Sequence, residues 1–409
     1  MPNLPTIRAL KSERSVPNYV SFGLLVVAQG LLIAAITVIV VGLPAIEREL
    51  GGGTAGMGAL NSAYGVSFAV LLLAGGRLAD VAGRRRMLTL GTAVFALASG
   101  LGAMAPRFEV LLVARLIQGA AAALVAPAAM ALLETVFTEP TGLARARAVW
   151  GGVAPVGATV GTLLSGAAAA WVGWRWEFAA PAVVGGLVAA LAPRLLPSDR
   201  GETRAIPRGI PPIGVLASRR RGGALLAVLC AAATNASATL LVSLFLQLRL
   251  GFSPIATSAA FLPFCASQIA LVLISGRLVA RIGPRVASVV GLAVAGAGLL
   301  LLSGGVGRIP ASGAAVGAGL VVLPAGVVVA LAGAMVLATR GSRPGEAGLV
   351  SALPNTAMEA GPPLGSALLL WLAATAGYQV AFAAAAGGAF AIAGAARAIV
   401  PSEARGEQS

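Results

Sequence analysis

Histidine is missing from all 409 residues, and cysteine occurs twice, at Cys230 and Cys265, each inside an apolar run. A Cys/His metal site and a disulfide framework therefore have no support, and neither a metal nor a cofactor is expected. Acids are scarce as well: 14 Asp and Glu stand against 29 Lys and Arg, and charged residues make up 11% of the chain. Ordinary soluble domains carry about 25% charge, which excludes that class. What is present instead is apolar surface, with 58% hydrophobic residues and a mean hydropathy of +0.92. The chain reads as an integral membrane protein in a lipid bilayer. Its formal charge of +15 would suggest nucleic acid in a soluble protein, but the basic residues lie between apolar runs. Topology and anionic lipid account for them there, so no nucleic-acid partner is expected.

Spans of about 20 apolar residues fall at 20–43, 60–76, 87–105, 110–133, 148–169, 178–196, 223–246, 254–276, 286–304, 313–338, 347–371 and 378–400, predicting about twelve transmembrane helices. The first run is too long for a cleavable signal and is read as a retained helix. Placing both termini in the cytoplasm puts 23 cationic residues inside and five outside, with Arg115 left within a span. The positive-inside rule favours that orientation, and with it the plasma membrane of a bacterium.

Residues 197–222 break the apolar pattern with prolines at 197, 207, 211 and 212, and read as a cytoplasmic linker between an N-terminal bundle (1–196) and a C-terminal bundle (223–409). The halves share a weak repeat: Gly76-Arg77-Leu78 with Gly83 and Arg85 recurs 200 residues later as Gly276-Arg277-Leu278 with Gly283 and Arg285. Gene duplication explains such spacing.

The stretch Gly75–Arg86, GGRLADVAGRRR, reads as a short basic turn joining two membrane helices. It resembles the loop between helices 2 and 3 of the major facilitator superfamily. That resemblance implies an all-α membrane fold of two pseudo-symmetric six-helix bundles, no enzymatic activity, and an inside gate built from Gly76, Asp80, Gly83, Arg84 and, at the end of helix 4, Glu134. Arg115-Leu-Ile-Gln118-Gly119 is similar to the family's Arg-x-x-Gln-Gly signature, which implies a part for Arg115 in proton coupling. Trp174-Arg175-Trp176-Glu177-Phe178 resembles the start of helix 6 in the drug:proton antiporter branch. The glycine-rich fifth span resembles that branch too, although Gly161-Thr162 stands where its motif has Gly-Pro. Gly157 and Gly161 form a small-xxx-small face expected to pack across the two halves. Relatives commonly carry an acid in helix 1, where this chain has Ala35.

Polar side chains in apolar spans supply candidates for a substrate cavity: Asn61 and Tyr64 on helix 2, Gln118 on helix 4, Asn235 on helix 7, Gln268 on helix 8 and Asn355 on helix 11. On helix 11, Ser351, Asn355, Glu359 and Ser366 share one face at 100° per residue. Glu359 falls near mid-span, where an unpaired carboxylate costs several kcal/mol and where a carboxyl can carry a proton. It is the candidate replacement for the acid missing at Ala35. The resulting expectation is a monomeric secondary transporter exchanging protons for hydrophobic or amphipathic small molecules. Open alternatives are a metabolite importer or uniporter of the same fold, a non-transporting receptor, or an integral-membrane enzyme.

Overall fold

The computed structural model describes residues 18–197, 219–307, 313–340 and 347–399. The first crossing is made by α1 (Asn18–Thr37) and α2 (Ile39–Leu50), and the next five by α3 (Gly53–Ala82), α4 (Arg84–Ala103), α5 (Phe108–Val136), α6 (Pro140–Trp171) and α7 (Trp176–Leu195). The second half opens with α8 (Arg219–Leu244), continued by a π turn at Phe245–Arg249, and α9 (Pro254–Ala260) with α10 (Leu262–Ile282) forms its next crossing. It is completed by α11 (Pro284–Val306), α12 (Gly313–Thr339), α13 (Ala347–Ala376) and α14 (Tyr378–Ile399). Among the described residues ten segments are long and apolar enough to cross a bilayer, and α6 and α13, of 32 and 30 residues, are the two further long helices. No strand occurs among the described residues.

Several helices outrun their apolar spans, because a helix continues into the interface where a hydropathy window stops. Arg77 and Asp80 therefore lie on the last turns of α3, and the expected basic turn contracts to a single residue, Gly83. Its φ of 96° is matched by 83° at Gly283, and α4 and α11 each start one residue later. A positive φ favours glycine, so the repeat marks two equivalent hinges. The arginine triplet at 219–221, read as linker, opens α8 instead. The rest of that linker, 198–218, lies outside the described residues.

The halves meet chiefly at the arginine-poor end. One buried cluster runs from Ile39, Leu43 and Leu60 in the first half to Leu240, Leu244 and Leu370 in the second. Pro44 explains the polar part of this seal. Lacking an N–H, it leaves the Val40 carbonyl without its helical donor, and the Ser243 hydroxyl donates to that oxygen at 3.1 Å. Gln247 Nε2 donates to the neighbouring Val41 oxygen at 3.0 Å, and Ser258 Oγ to the Thr162 oxygen at 2.8 Å.

Gly157 and Gly161 do permit close packing, but on α1 in their own half, where Gly157 would place a Cβ 3.2 Å from the Gly30 oxygen and Gly161 would strike Thr37. The close approach across the halves belongs to Gly166, which faces Ser258.

The combined Ser243→Ala, Gln247→Ala variant is expected to loosen the seal. Two buried hydrogen bonds contribute about 1 kcal/mol each, so a cysteine placed at buried position 366 in a background lacking Cys230 and Cys265 should react severalfold faster with a membrane-impermeant maleimide applied at the arginine-poor face. An unchanged labelling rate would show that apolar packing alone holds this end.

Candidate functional site

Close helix crossings bring the site together. A Cβ at Gly119 would run into the Tyr64 oxygen and Ser67, and one at Gly75 into the Ala123 oxygen, so α3 and α5 approach at backbone distance. That approach lays the Tyr64 ring against Arg115, with the guanidinium carbon 4.9 Å from the ring centre. Arg115 is 1% exposed, which rules out a cation reaching for the membrane surface. Its Nη1 donates to the Ala35 oxygen at 2.9 Å and to Gln118 Oε1 at 3.3 Å, while Nε and Nη2 are buried with no hydrogen-bond partner. The cation thus points at the helix 1 position from which the acid is missing.

Gln118 is also 1% exposed, and its Nε2 donates to Ser99 Oγ at 2.7 Å. With both amide atoms engaged, it links α4 to Arg115 rather than lining an open cavity. Tyr64 is equally enclosed and donates its hydroxyl to the Leu32 oxygen at 3.3 Å. Gln268 Nε2 donates to Asn235 Oδ1 at 3.4 Å, joining α10 to α8; both residues are partly exposed.

Glu359 lies where α13 crosses α3. A Cβ at Gly65 would fall 3.6 Å from its main-chain oxygen and 3.4 Å from Pro363 Cδ. Pro363 supplies no N–H to the Glu359 carbonyl four residues earlier, yet α13 remains one helix through Pro354, Pro362 and Pro363. Exposure grades along the polar stripe: Ser366 is fully buried and accepts from Asn61 Nδ2 at 3.4 Å, Glu359 is partly exposed, and Asn355 is exposed. The side chain of Ser351 lies outside the described residues. Burial along this face of α13 therefore increases toward the arginine-poor end. Arg115 lies over the Tyr64 ring and the adjacent Gly65 packs on Glu359, so the two candidate coupling residues share one neighbourhood.

At the arginine-rich end, Arg84 Nη2 stands 4.0 Å from Asp80 Oδ1, and its Nη1 donates to the Ala131 oxygen at 3.1 Å and to Thr135 Oγ1 at 3.5 Å. Asp80, Arg84 and Glu134 all belong to α3, α4 and α5, so these contacts join helices within the first half. Gly76 faces Pro127 at 3.8 Å.

Sequence reasoning missed a buried carboxyl. Glu177, at the start of α7, is 3% exposed; Ser165 Oγ donates to its Oε1 at 2.7 Å, and Oε2 has no hydrogen-bond partner. Outward of it, Glu49 accepts from Trp174 Nε1 at 2.7 Å and pairs with Arg175 at 2.5 Å. These partners, Trp174 first and Arg175 second, hold the Glu49 carboxyl below the usual carboxylate range. A depressed acid stabilises the fold above its unfolded pKa, and that contribution fades as pH falls through the folded value. This outer contact consequently persists through mild acidity.

A family model described as Major Facilitator Superfamily matches residues 25–365. The chain is 34% identical to the puromycin resistance protein pur8 of Streptomyces alboniger, over 85% of this chain and 80% of that protein. It is 32% identical to the lincomycin resistance protein of Streptomyces lincolnensis, over 71% of each. Among solved structures, that of the nucleoside transporter NupG matches with a TM-score of 0.76 at 12% identity, covering 94% of this chain and 100% of that one, a likeness of fold.

Proposed function

The chain belongs to the Major Facilitator Superfamily, and from that premise we propose that it exports hydrophobic or amphipathic small molecules of the antibiotic kind by alternating access, in exchange for protons. Similarity to resistance proteins for puromycin and lincomycin supports the substrate class and the outward direction. The arginine-rich end, with 23 cationic residues against five, is read as cytoplasmic in a bacterial plasma membrane, which puts both termini inside. In that orientation the less buried end of the α13 polar face lies on the inner side, ready to load from the cytoplasm or inner leaflet. We read the transporter as a monomer.

One observation carries the proton-coupling reading: Glu359 is the sole ionisable side chain of α13 and lies between the buried Ser366 and the exposed Asn355 on its polar face. An intramembrane acid at such a boundary can exchange protons with the side that is open. Arg115, over the Tyr64 ring in the same neighbourhood, supplies the fixed charge that makes its protonation state matter to the fold. Asn61, Asn235, Gln268 and Asn355 offer a few polar contacts in an otherwise apolar cavity. Asp80, Arg84 and Glu134 act as the inside gate when the halves close there.

Expression in an efflux-deficient bacterial host should lower intracellular accumulation of puromycin or lincomycin severalfold, and a protonophore should reverse the effect. Increased accumulation would identify an importer, and unchanged accumulation of both compounds would remove the antibiotic assignment.

A further inference from the structure

Glu177 is enclosed on purpose-built terms. A Cβ at Gly42 of α2 would collide with its carboxylate, and Ser165 of α6 donates to one oxygen while the other has no hydrogen-bond partner. A carboxyl serving only to pin helices together would be expected to satisfy both oxygens, because buried polar atoms nearly always find partners. Gly42 and Ser165 lie directly against the carboxyl, and a proton is a ligand small enough to fit there.

The groups around it are few. Arg115 of α5 is within Coulombic reach, and Glu177 in turn acts on Arg115. On the outer parts of the elements packed nearby the other ionisable groups are Arg175 at the start of α7, Glu47, Arg48 and Glu49 at the end of α2, Glu109 at the start of α5, and Tyr64 on α3; Arg77, Asp80, Glu134, Arg145, Arg147 and Arg194 lie on the arginine-rich parts of α3, α5, α6 and α7. Neither α1 (Asn18–Thr37) nor the 156–171 stretch of α6 carries a charged side chain. An ionised Glu177 would place negative charge within reach of Arg115, and a protonated one would not.

Outer water comes close. One helical turn outward, Ala45, Ala169 and Trp174 help to line a shallow surface depression that opens to the outside. Trp174 closes its floor, itself fastened by Glu49 and by Arg175, whose guanidinium lies 4.5 Å from the indole.

We infer that Glu177 is a second proton-binding carboxyl, serving the arginine-poor side as Glu359 serves the arginine-rich side, with Glu49, Trp174 and Arg175 as the latch between it and the outer water. The inference rests on the proton-exchange reading above. When the latch opens, hydronium gives its proton to the carboxylate and leaves as water; when the outer end is closed, the protonated group no longer places negative charge within reach of Arg115.

Glutamine matches the size of glutamate and can keep the Ser165 hydrogen bond, so Glu177→Gln isolates the proton. In proteoliposomes loaded with puromycin, Glu177→Gln should retain exchange at equal pH within about threefold and lose about tenfold of the stimulation by acid on the arginine-poor side. Wild-type stimulation in this variant would overturn the inference, and if Glu359→Gln abolished uphill transport in the same assay, the proton-exchange reading would stand without it. A wild-type protein indifferent to a pH gradient would overturn both. Should the variant fail to fold, carbodiimide labelling of the wild type, mapped by peptide mass, decides. Labelling at Glu177 should rise with acid on the arginine-poor side and that at Glu359 with acid on the other; pH-independent labelling at Glu177 would overturn the inference.

Discussion

Glu359→Gln is expected to abolish uphill transport driven by an imposed pH gradient, by about a hundredfold, while exchange of substrate at equal pH stays within about threefold of wild type. Glutamine preserves the size and the neutral charge of a protonated carboxyl but cannot take up or release a proton. The neighbourhood is built to tolerate the neutral form: Gly65 and Pro363 lie against the backbone here, and Tyr64 is the nearby polar ring. The variant should therefore fold, bind and exchange. Retention of proton-driven accumulation at wild-type level would remove Glu359 from the mechanism.

Arg115→Ala is the second change with a large effect. It takes the donor from the Ala35 oxygen and from Gln118, removes the cation from the face of Tyr64 and leaves a void where three helices meet. A flux loss of about a hundredfold, equal to ~2.7 kcal/mol, is expected, accompanied by a lower melting temperature. Arg115→Lys separates charge from geometry. One ammonium keeps the positive field but cannot reproduce the planar fork that reaches α1 and Gln118 together, so flux should fall by about tenfold with little loss of stability. Wild-type flux in Arg115→Ala would reduce the residue to a packing role.

Much of the fold was legible because a bilayer imposes length on apolar runs, and twelve such runs stand out in a chain so poor in charge. The Gly83 and Gly283 hinges were legible for a different reason: a positive φ favours glycine, so the requirement leaves a mark in the sequence. Partners were less visible. The small-residue face of Gly157 and Gly161 announces close approach, but nothing in it says whether the neighbour is α1 or the other half. Gln118 announced a hydrogen bond in an apolar span without revealing that Arg115 and Ser99 consume it. Glu177 was hidden most completely. Just after two tryptophans at a helix start, it reads as an interfacial acid, and only the closure of Gly42 and Ser165 around it makes it a buried one. The bare glycine at 42, beside Pro44, was the one signal available.

Proton coupling through Glu359 is tested most directly by following one substrate in proteoliposomes holding wild-type protein of known orientation, with pH gradients imposed in both directions. The account predicts uphill substrate movement against the proton flow, reversing when the gradient is reversed and missing in Glu359→Gln. Substrate that runs only down its own gradient, at a rate indifferent to the sign of the pH difference, would contradict it.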